Sequence, residues 1–276
     1  MDIKNLQSIP SWEWPADTDK VLLGLLRDRT ADPSDRIIAA ESAGDLTVID
    51  DNLADELLSI VKRNEESEEL RATAVLALGP VLEYTYDEFD MPDERTISVS
   101  MFNRIQDSLR KLYMEMDIPK DLRRRMIEAS VRAPQDWHHD AVAAAYESHD
   151  EDWKLTAVFC MRFIDGFDSL ILQALNSSNP DIFFEAVCAA GDWGLDEAWP
   201  HIVAIIKEKD ADKSLLLAAI EASVIIRPEE ASYILSDLMY SDDEDIVEAV
   251  HEAMSMAEIT MDDDFTEDDD DDETIH

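Results

Sequence analysis

The stretch from Ser67 to Gly79, SEELRATAVLALG, constrains the fold most, because degenerate copies of it recur along most of the chain. Leu70, Ala74 and Ala77 fall at helical spacing on one face, and the alanines suit a face that a neighbouring helix approaches closely. Gly79 is typical of a residue that ends a helix. The stretch is therefore interpreted as the first helix of a two-helix repeat.

The copies are aligned by numbering the motif from Leu70 as position 0. The other residues at position 0 are Asp35, Leu122, Trp153, Ile182, Leu215 and Ile246. Position 4 is occupied by Ala39, Ala74, Met126, Ala157, Ala186, Ala219 and Val250. Position 7 is small in every copy, with Ser42, Ala77, Ala129, Cys160, Ala189, Ala222 and Ala253. A near-constant period with a small residue at a fixed position predicts an all-α fold, a right-handed α/α superhelix of about six helix pairs flanked by half repeats.

Length and composition agree with a helical repeat array. At 276 residues the chain is near the upper limit for one globular core, whereas a repeat array grows without one. The absence of alternating β-branched runs argues against a sheet. No apolar run reaches the roughly 18 residues of a membrane span, and the segment from Met1 to Gln7 lacks the profile of a signal peptide. We therefore expect a cytoplasmic protein without a membrane partner, with Cys160 and Cys188 as reduced core thiols.

The two ends of the chain differ from the repeats. Residues 1–17 carry Trp12 and Trp14 between two prolines, which predicts an extended N-terminal arm. These tryptophans either cover the exposed end of the first helices or form a hook for a partner. Repeats are predicted over residues 18–257, and the aspartate-rich residues 258–276 are predicted to form a disordered acidic tail.

Helices can be placed from capping residues and apolar spacing. A half-repeat helix is predicted after Asp17, and Asp32-Pro33 opens the first complete pair. Second helices are predicted near 49–61, 101–115, 136–147, 167–176, 195–208 and 228–240. Further helix starts are indicated by Pro119, Asn179-Pro180, Arg227-Pro228 and the capping box from Ser241 to Glu244. The pattern predicts about 14 helices.

One repeat resembles a known family. Leu70-Arg71, followed by Ala74, Ala77, Leu78 and Gly79, resembles the first helix of the short HEAT repeats of the phycobilisome-lyase type. Residues 196–206 resemble the second helix of these repeats, and the arginine at position 1 recurs at Arg36 and Arg123. The resemblance implies a HEAT-like fold, in which the surface lined by second helices mostly binds proteins. Some branches of the family are enzymes.

The enzymatic branches can be compared with the residues present. Deoxyhypusine hydroxylases hold iron with several His-Glu dipeptides, and this sequence has only His251-Glu252. HEAT-like alkylpurine DNA glycosylases need a cationic groove, which a net charge of -42 opposes, so no nucleic-acid partner is predicted. Phycobilin lyases remain an open alternative.

Two groups of histidines and carboxylates are candidate metal ligands. His138-His139-Asp140 and the segment 149–152 flank a predicted short helix, which would hold them about 15 Å apart at 1.5 Å per residue. One shared ion is therefore not expected, and the acidic residues 150–152 are interpreted as charges at the N-terminus of the next helix. The sequence predicts no catalytic residue, no cofactor and no metal.

Two neighbouring segments of opposite charge interrupt the repeats. Residues 83–97 form an acidic and aromatic insertion, and residues 104–132 then hold eight of the 23 cations of the chain. The insertion either folds back and neutralises these cations, or forms a binding surface together with them. The residues predicted to bind an acidic partner are Arg104, Lys111, Arg124 and Arg125.

These observations predict a non-catalytic scaffold for protein–protein interactions, with the partner and the oligomeric state left open. A HEAT-like enzyme is an alternative, either a bilin lyase or metal-dependent. A third possibility is an acidic factor that sequesters basic proteins. The acidity extends along the whole chain, so it fits a salt-adapted or highly soluble surface as well as a binding feature.

Overall fold

A computed structural model of the protein describes residues 3–87 and 96–264, with side chains described up to residue 257. These residues form α-helices and short 3-10 helices and contain no strand. The α-helices are α1 (Thr18–Arg27), α2 (Pro33–Ser42), α3 (Asp51–Lys62), α4 (Glu68–Ala77), α5 (Gly79–Asp87), α6 (Val99–Tyr113), α7 (Lys120–Ser130), α8 (Asp136–Glu147), α9 (Glu151–Cys160), α10 (Asp168–Ala174), α11 (Pro180–Asp192), α12 (Trp199–Lys207), α13 (Lys213–Ile226), α14 (Pro228–Leu235) and α15 (Glu244–Asp264). The 3-10 helices are Ile3–Ser8, Ser11–Glu13, Asp196–Ala198 and Leu238–Tyr240.

The α-helices follow the predicted repeat. Six complete pairs are present, α2–α3, α4–α6, α7–α8, α9–α10, α11–α12 and α13–α14, and α1 and α15 are half repeats at the two ends. Within each unit, first helices pack on first helices of the next repeat, as α2 does on α4 and α11 on α13, and second helices pack likewise, as α3 does on α6. The predicted all-α array of helix pairs is thus confirmed.

The chain divides into two compact units, residues 1–144 and 145–276. Each unit has its own apolar core made by the inward faces of its helices. Fully buried side chains in the first unit include Leu22, Leu26, Leu57, Leu78, Ile105 and Leu122. Those in the second unit include Val158, Ile171, Val187, Ile202 and Leu235.

Positions 4 and 7 face neighbouring helices in every repeat. All residues at position 4 are 0% exposed, and those at position 7 are at most 9% exposed. The small size of position 7 is explained in two repeats by position 9 of the preceding repeat, where Gly44 lies on Ala77 and Gly191 lies on Ala222. A Cβ atom on Gly44 would stand 2.4 Å from the carbonyl oxygen of Ala77, and one on Gly191 would stand 2.7 Å from the Cβ of Ala222. At these two contacts successive first helices approach each other backbone to backbone.

The arginines at position 1 all donate a hydrogen bond to a backbone carbonyl oxygen at or just after the end of the preceding helix. Arg36 donates to the carbonyl oxygen of Leu26 at 3.0 Å, and Arg71 donates to that of Val61 at 2.9 Å. Arg123 donates likewise to the carbonyl oxygen of Glu115, just after α6. The last carbonyls of a helix have no partner within the helix, so Arg36 and Arg71 each cap the helix that precedes their own. Arg123 binds the turn that follows α6 in the same way.

Several local expectations differ from the structure. The N-terminal arm is not extended throughout but forms two 3-10 helices. Trp14, just after the second of them, packs on the core and donates its indole N–H to the carbonyl oxygen of Leu6. Trp12 is 79% exposed. The arm therefore covers the first helices through Trp14 rather than through both tryptophans.

The predicted helix ends also need correction at three places. Gly79 does not end the helical segment, because α5 starts at this residue after a break at Leu78. Asp243 rather than Ser241 caps α15, since its carboxylate accepts from the backbone N–H of Asp245. α15 continues to Asp264, into the region predicted as a disordered tail. Residues 265–276 of that tail and residues 88–95 of the acidic insertion lie outside the described residues.

No helix in the described part of the chain combines the length and apolar character needed to cross a membrane.

Candidate partner-binding surfaces

The four arginine and lysine residues predicted as a binding site are split between two helices. Arg104 and Lys111 lie on α6, a second helix, whereas Arg124 and Arg125 lie on α7, a first helix. Arg124 is 7% exposed and lies 3.6 Å from the Asp121 carboxylate. Arg125 donates to the Glu128 carboxylate at 2.6 Å. The structure therefore groups Arg104 with Lys111 and leaves Arg124 and Arg125 to ion pairs within α7.

Lys62, at the end of α3, joins Arg104 and Lys111 on the second-helix layer, and we call these three residues the α3–α6 cationic cluster. Burial lowers the pKa of Lys62, and the positive charges of Arg104 and Lys111 lower it further against the opposing effect of Asp55. Arg104 pairs with Asp55 at 2.6 Å, with both side chains 51% exposed. Arg104 and Lys111 are thus each close enough to Lys62 to oppose its positive charge at an accessible surface.

The acidic insertion contacts the cations at one described point. Glu83 on α5 pairs with Arg132, which follows α7. For Arg132, this ion pair agrees with the interpretation that the acidic insertion folds back and neutralises the cations. Asp87 is exposed, and the remaining acidic residues of the insertion lie outside the described residues.

His138 has a structural rather than a metal-binding geometry. Its Nδ1 accepts from the backbone N–H of Gln135 at 2.9 Å, so the proton is assigned to Nε2, which lies 2.9 Å from the Ser130 hydroxyl. The hydroxyl in turn donates to the carbonyl oxygen of Met126. Burial lowers the pKa of His138 to about 4, so the imidazole is neutral at pH 7. The side chain thereby acts as the returning partner of a capping box at the start of α8.

The other histidines and carboxylates do not converge. His139 and His149 are exposed, and the Asp150 carboxylate accepts from the backbone N–H of Asp152 as the cap of α9. Within residues 3–87 and 96–257, no group of three or more His, Cys, Asp or Glu side chains has the geometry to hold a metal ion.

A groove of about 740 Å³ lies on the first-helix layer of the second unit, between α11, α13 and α15. We call it the α11–α13–α15 groove. Its apolar lining includes Phe184, Leu217 and Met256, and it also contains the Cys188 thiol. Burial raises the pKa of Cys188 to about 11, which keeps the thiol protonated and weakly nucleophilic. Cys160 is fully buried, as predicted for a core thiol, whereas Cys188 is only half-buried.

No protein-family model matches the sequence, and no curated protein matches it. Solved structures with a similar arrangement of helices include a HEAT-like repeat protein. This archaeal protein, from Thermococcus onnurineus NA1, is 16% identical and has a TM-score of 0.39, with 87% of this chain and 97% of that chain covered.

Two further similar structures are described by an activity. The complex of CpcE and CpcF of phycocyanin lyase from Nostoc sp. PCC7120 is 17% identical, with a TM-score of 0.45 over 91% of this chain and 97% of that chain. Human deoxyhypusine hydroxylase is 14% identical, with a TM-score of 0.40 over 87% of this chain and 88% of that chain. At such identities and scores, the likeness assigns neither an activity nor a partner to this protein.

Sequence reasoning missed two features of these surfaces. Lys62 lies 42 residues before Arg104, and only the packing of α3 on α6 brings them together. The α11–α13–α15 groove draws its lining from α11, α13 and α15, with Arg162 added from the repeat that precedes α11. Its sequence signal is limited to Glu248 and Glu252 on α15, whose spacing places two like charges on one helix face.

Proposed function

We propose that the protein is a protein-interaction scaffold built on HEAT-like repeats, and that the α3–α6 cationic cluster binds a carboxylate-rich segment of a protein partner. The observation that carries the proposal is the packing of α3 on α6, joined by the Arg104–Asp55 ion pair, which brings the charges of Arg104 and Lys111 near Lys62 on the second-helix layer of a protein with a net charge of -42. This layer is also the one through which HEAT-like arrays mostly bind proteins.

The electrostatics of the cluster favour an anionic ligand. Asp55 neutralises part of the charge, and Asp107 stands one helical turn from both Arg104 and Lys111, yet cations still outnumber carboxylates. Burial lowers the pKa of Lys62 most and the positive charges of Arg104 and Lys111 lower it further, and a bound carboxylate would offset these two charges. The Arg104 guanidinium, half-exposed, is able to form bidentate hydrogen bonds to such a group.

The acidic character of the rest of the protein adds specificity. A carboxylate-rich segment is repelled by most of a surface with 65 acidic and 23 basic residues, and is attracted where cations cluster. The partner is thereby directed to one place and orientation. The same reasoning predicts that binding weakens with added salt, because the residues of the α3–α6 cationic cluster are exposed and salt screens their charges.

The test is a comparison of two charge-matched variants in affinity purification with quantitative mass spectrometry. Lys62→Glu/Lys111→Glu removes the cluster, and Lys20→Glu/Lys209→Glu makes the same change of charge at exposed sites elsewhere. We expect specific partners to be lost with the first variant and retained with the second. Retention of the same partners by both variants, or equal loss from both, would refute the proposal.

The presence or absence of bound iron or bilin distinguishes the scaffold from the alternative of a HEAT-like enzyme or bilin lyase. Metal analysis and an absorption spectrum of the purified protein measure iron and bilin directly. Stoichiometric iron or a covalent chromophore would favour the enzymatic alternative. Capture of an acidic partner that depends on Lys62 and Lys111 would favour the scaffold.

A further inference from the structure

We infer that the α11–α13–α15 groove docks an amphipathic helical segment of a protein partner, with apolar residues on one face and lysine or arginine along its edges. This surface lies on the first-helix layer of the second unit and is separate in the chain from the α3–α6 cationic cluster. It has the opposite charge and therefore selects a different kind of partner.

The floor of the groove is apolar and accessible. Phe184 on α11, Leu217 on α13 and Ala249 on α15 are all half-buried, and Met256 is 48% exposed. Side chains of this kind, in a groove of about 740 Å³, match the apolar anchors of a docked helix. Burying them against a partner removes apolar surface from water and favours binding.

The rim of the groove is negatively charged. Glu221 on α13 and Glu248 and Glu252 on α15 line the groove, are exposed, and form no ion pair within the described residues. Glu248 and Glu252 are four residues apart on one face of α15, an arrangement that destabilises a helix when both charges have the same sign. A cationic partner would remove this repulsion.

The remaining charged side chains of the groove are already neutralised. Arg162 pairs with Asp192 at 2.6 Å, and Asp245 pairs with Lys213 at 2.6 Å. The net charge left at the rim is therefore that of three glutamates, which complements lysine or arginine at the edges of an apolar segment. A neutral or acidic helix would lack this complementarity.

The dimensions of the groove indicate the length of its occupant. The lining residues of α15 extend from Asp245 to Met256, which corresponds to about 16 Å of helix at 1.5 Å per residue. A docked helix of about three turns would cover this length.

Cys188 provides a local reporter for the test, because its thiol lines the groove and Cys160 is fully buried. A peptide of about 12 residues with leucine and lysine in helical amphipathic order is compared with a scrambled peptide of identical composition. Alkylation of Cys188 is measured at pH 9 and 0.15 M salt, with peptide at about ten times its Kd measured by fluorescence anisotropy. We expect the amphipathic peptide to slow alkylation about tenfold and the scrambled peptide to leave it unchanged.

Two charge-matched variants test the rim. Glu248→Gln/Glu252→Gln should weaken binding of the amphipathic peptide about tenfold, whereas Glu208→Gln/Asp210→Asn, at exposed sites outside the groove lining, should change the Kd less than about twofold. Equal protection by the scrambled peptide would show charge-driven adsorption only and overturn the inference. Peptide binding that leaves the alkylation rate of Cys188 unchanged would place the peptide outside the groove. Slower alkylation at higher protein concentration, without any peptide, would assign the groove to a second copy of the chain. Either result also overturns the inference.

Discussion

The contact between Gly191 and Ala222 allows a sharp test of how successive repeats pack. An added Cβ at Gly191 would lie 2.7 Å from the Cβ of Ala222 and 2.9 Å from its Cα. Because carbon atoms in contact are normally about 3.5–4.0 Å apart, α11 and α13 would have to separate by nearly an ångström. Neither obstructing atom belongs to a flexible side-chain end, so the strain must be taken up by the helices themselves.

The expected cost of Gly191→Ala follows from two opposing effects. Overpacking of a tight core contact costs about 1–3 kcal/mol, and replacing glycine by alanine in a helix gains about 0.5–1 kcal/mol. We expect a net loss of about 1–2 kcal/mol in the free energy of unfolding, since a backbone atom is among the obstructions. Adding Ala222→Gly should recover part of this loss, with a favourable coupling of about 1 kcal/mol between the two sites.

Gly24→Ala is the matched control, because Gly24 lies inside α1 and an added Cβ would meet nothing within 4 Å. Without a clash, only the gain from reduced backbone freedom remains, so this variant should be stabilised by about 0.5–1 kcal/mol. Urea unfolding followed by circular dichroism measures both variants, with separate transitions fitted if the two units unfold apart. A Gly191→Ala variant as stable as Gly24→Ala would refute the proposed contact between the repeats.

Three further predictions concern charge. His138 has a folded pKa of about 4 against an ordinary 6.5, so its contribution of about 3 kcal/mol is complete above pH 6.5 and lost as the pH falls to 4. The stability difference between the wild type and His138→Gln should shrink over that interval, and a constant difference would contradict the burial of a neutral imidazole. Arg36→Met should cost about 3 kcal/mol because it removes both hydrogen bonds that Arg36 donates to the buried Glu66 carboxylate and leaves that carboxylate the longer ion pair to Arg63 at 3.8 Å. Glu66→Gln in the same chain should recover part of the loss. Addition of salt from 0.01 to 1 M should raise Tm through screening of carboxylate repulsion, and a fall in Tm would show that ion pairs matter more.

The repeat itself was predictable because it depends on local spacing. Helical periodicity places Ala74 and Ala77 on one face of α4. The Asp32 and Asn179 side chains accept hydrogen bonds from the first backbone N–H groups of α2 and α11, and this capping does not depend on the rest of the fold. These features act within a turn or two of one helix. The sequence therefore determined the helix pairs, their order and the face of each first helix that packs on the next.

The surfaces could not be predicted in the same way, because they depend on which helices become neighbours and how each is rotated. Arg124 lies two residues from the buried Leu122 and turns into the packing interface, where acidic side chains neutralise it. Lys62 gains its neighbours Arg104 and Lys111 only when α3 packs on α6. The glutamate rim and the apolar floor of the α11–α13–α15 groove meet only after three repeats have stacked. Periodicity fixes the buried face of a helix, whereas contacts between residues distant in the chain are set by the packing of one helix against another.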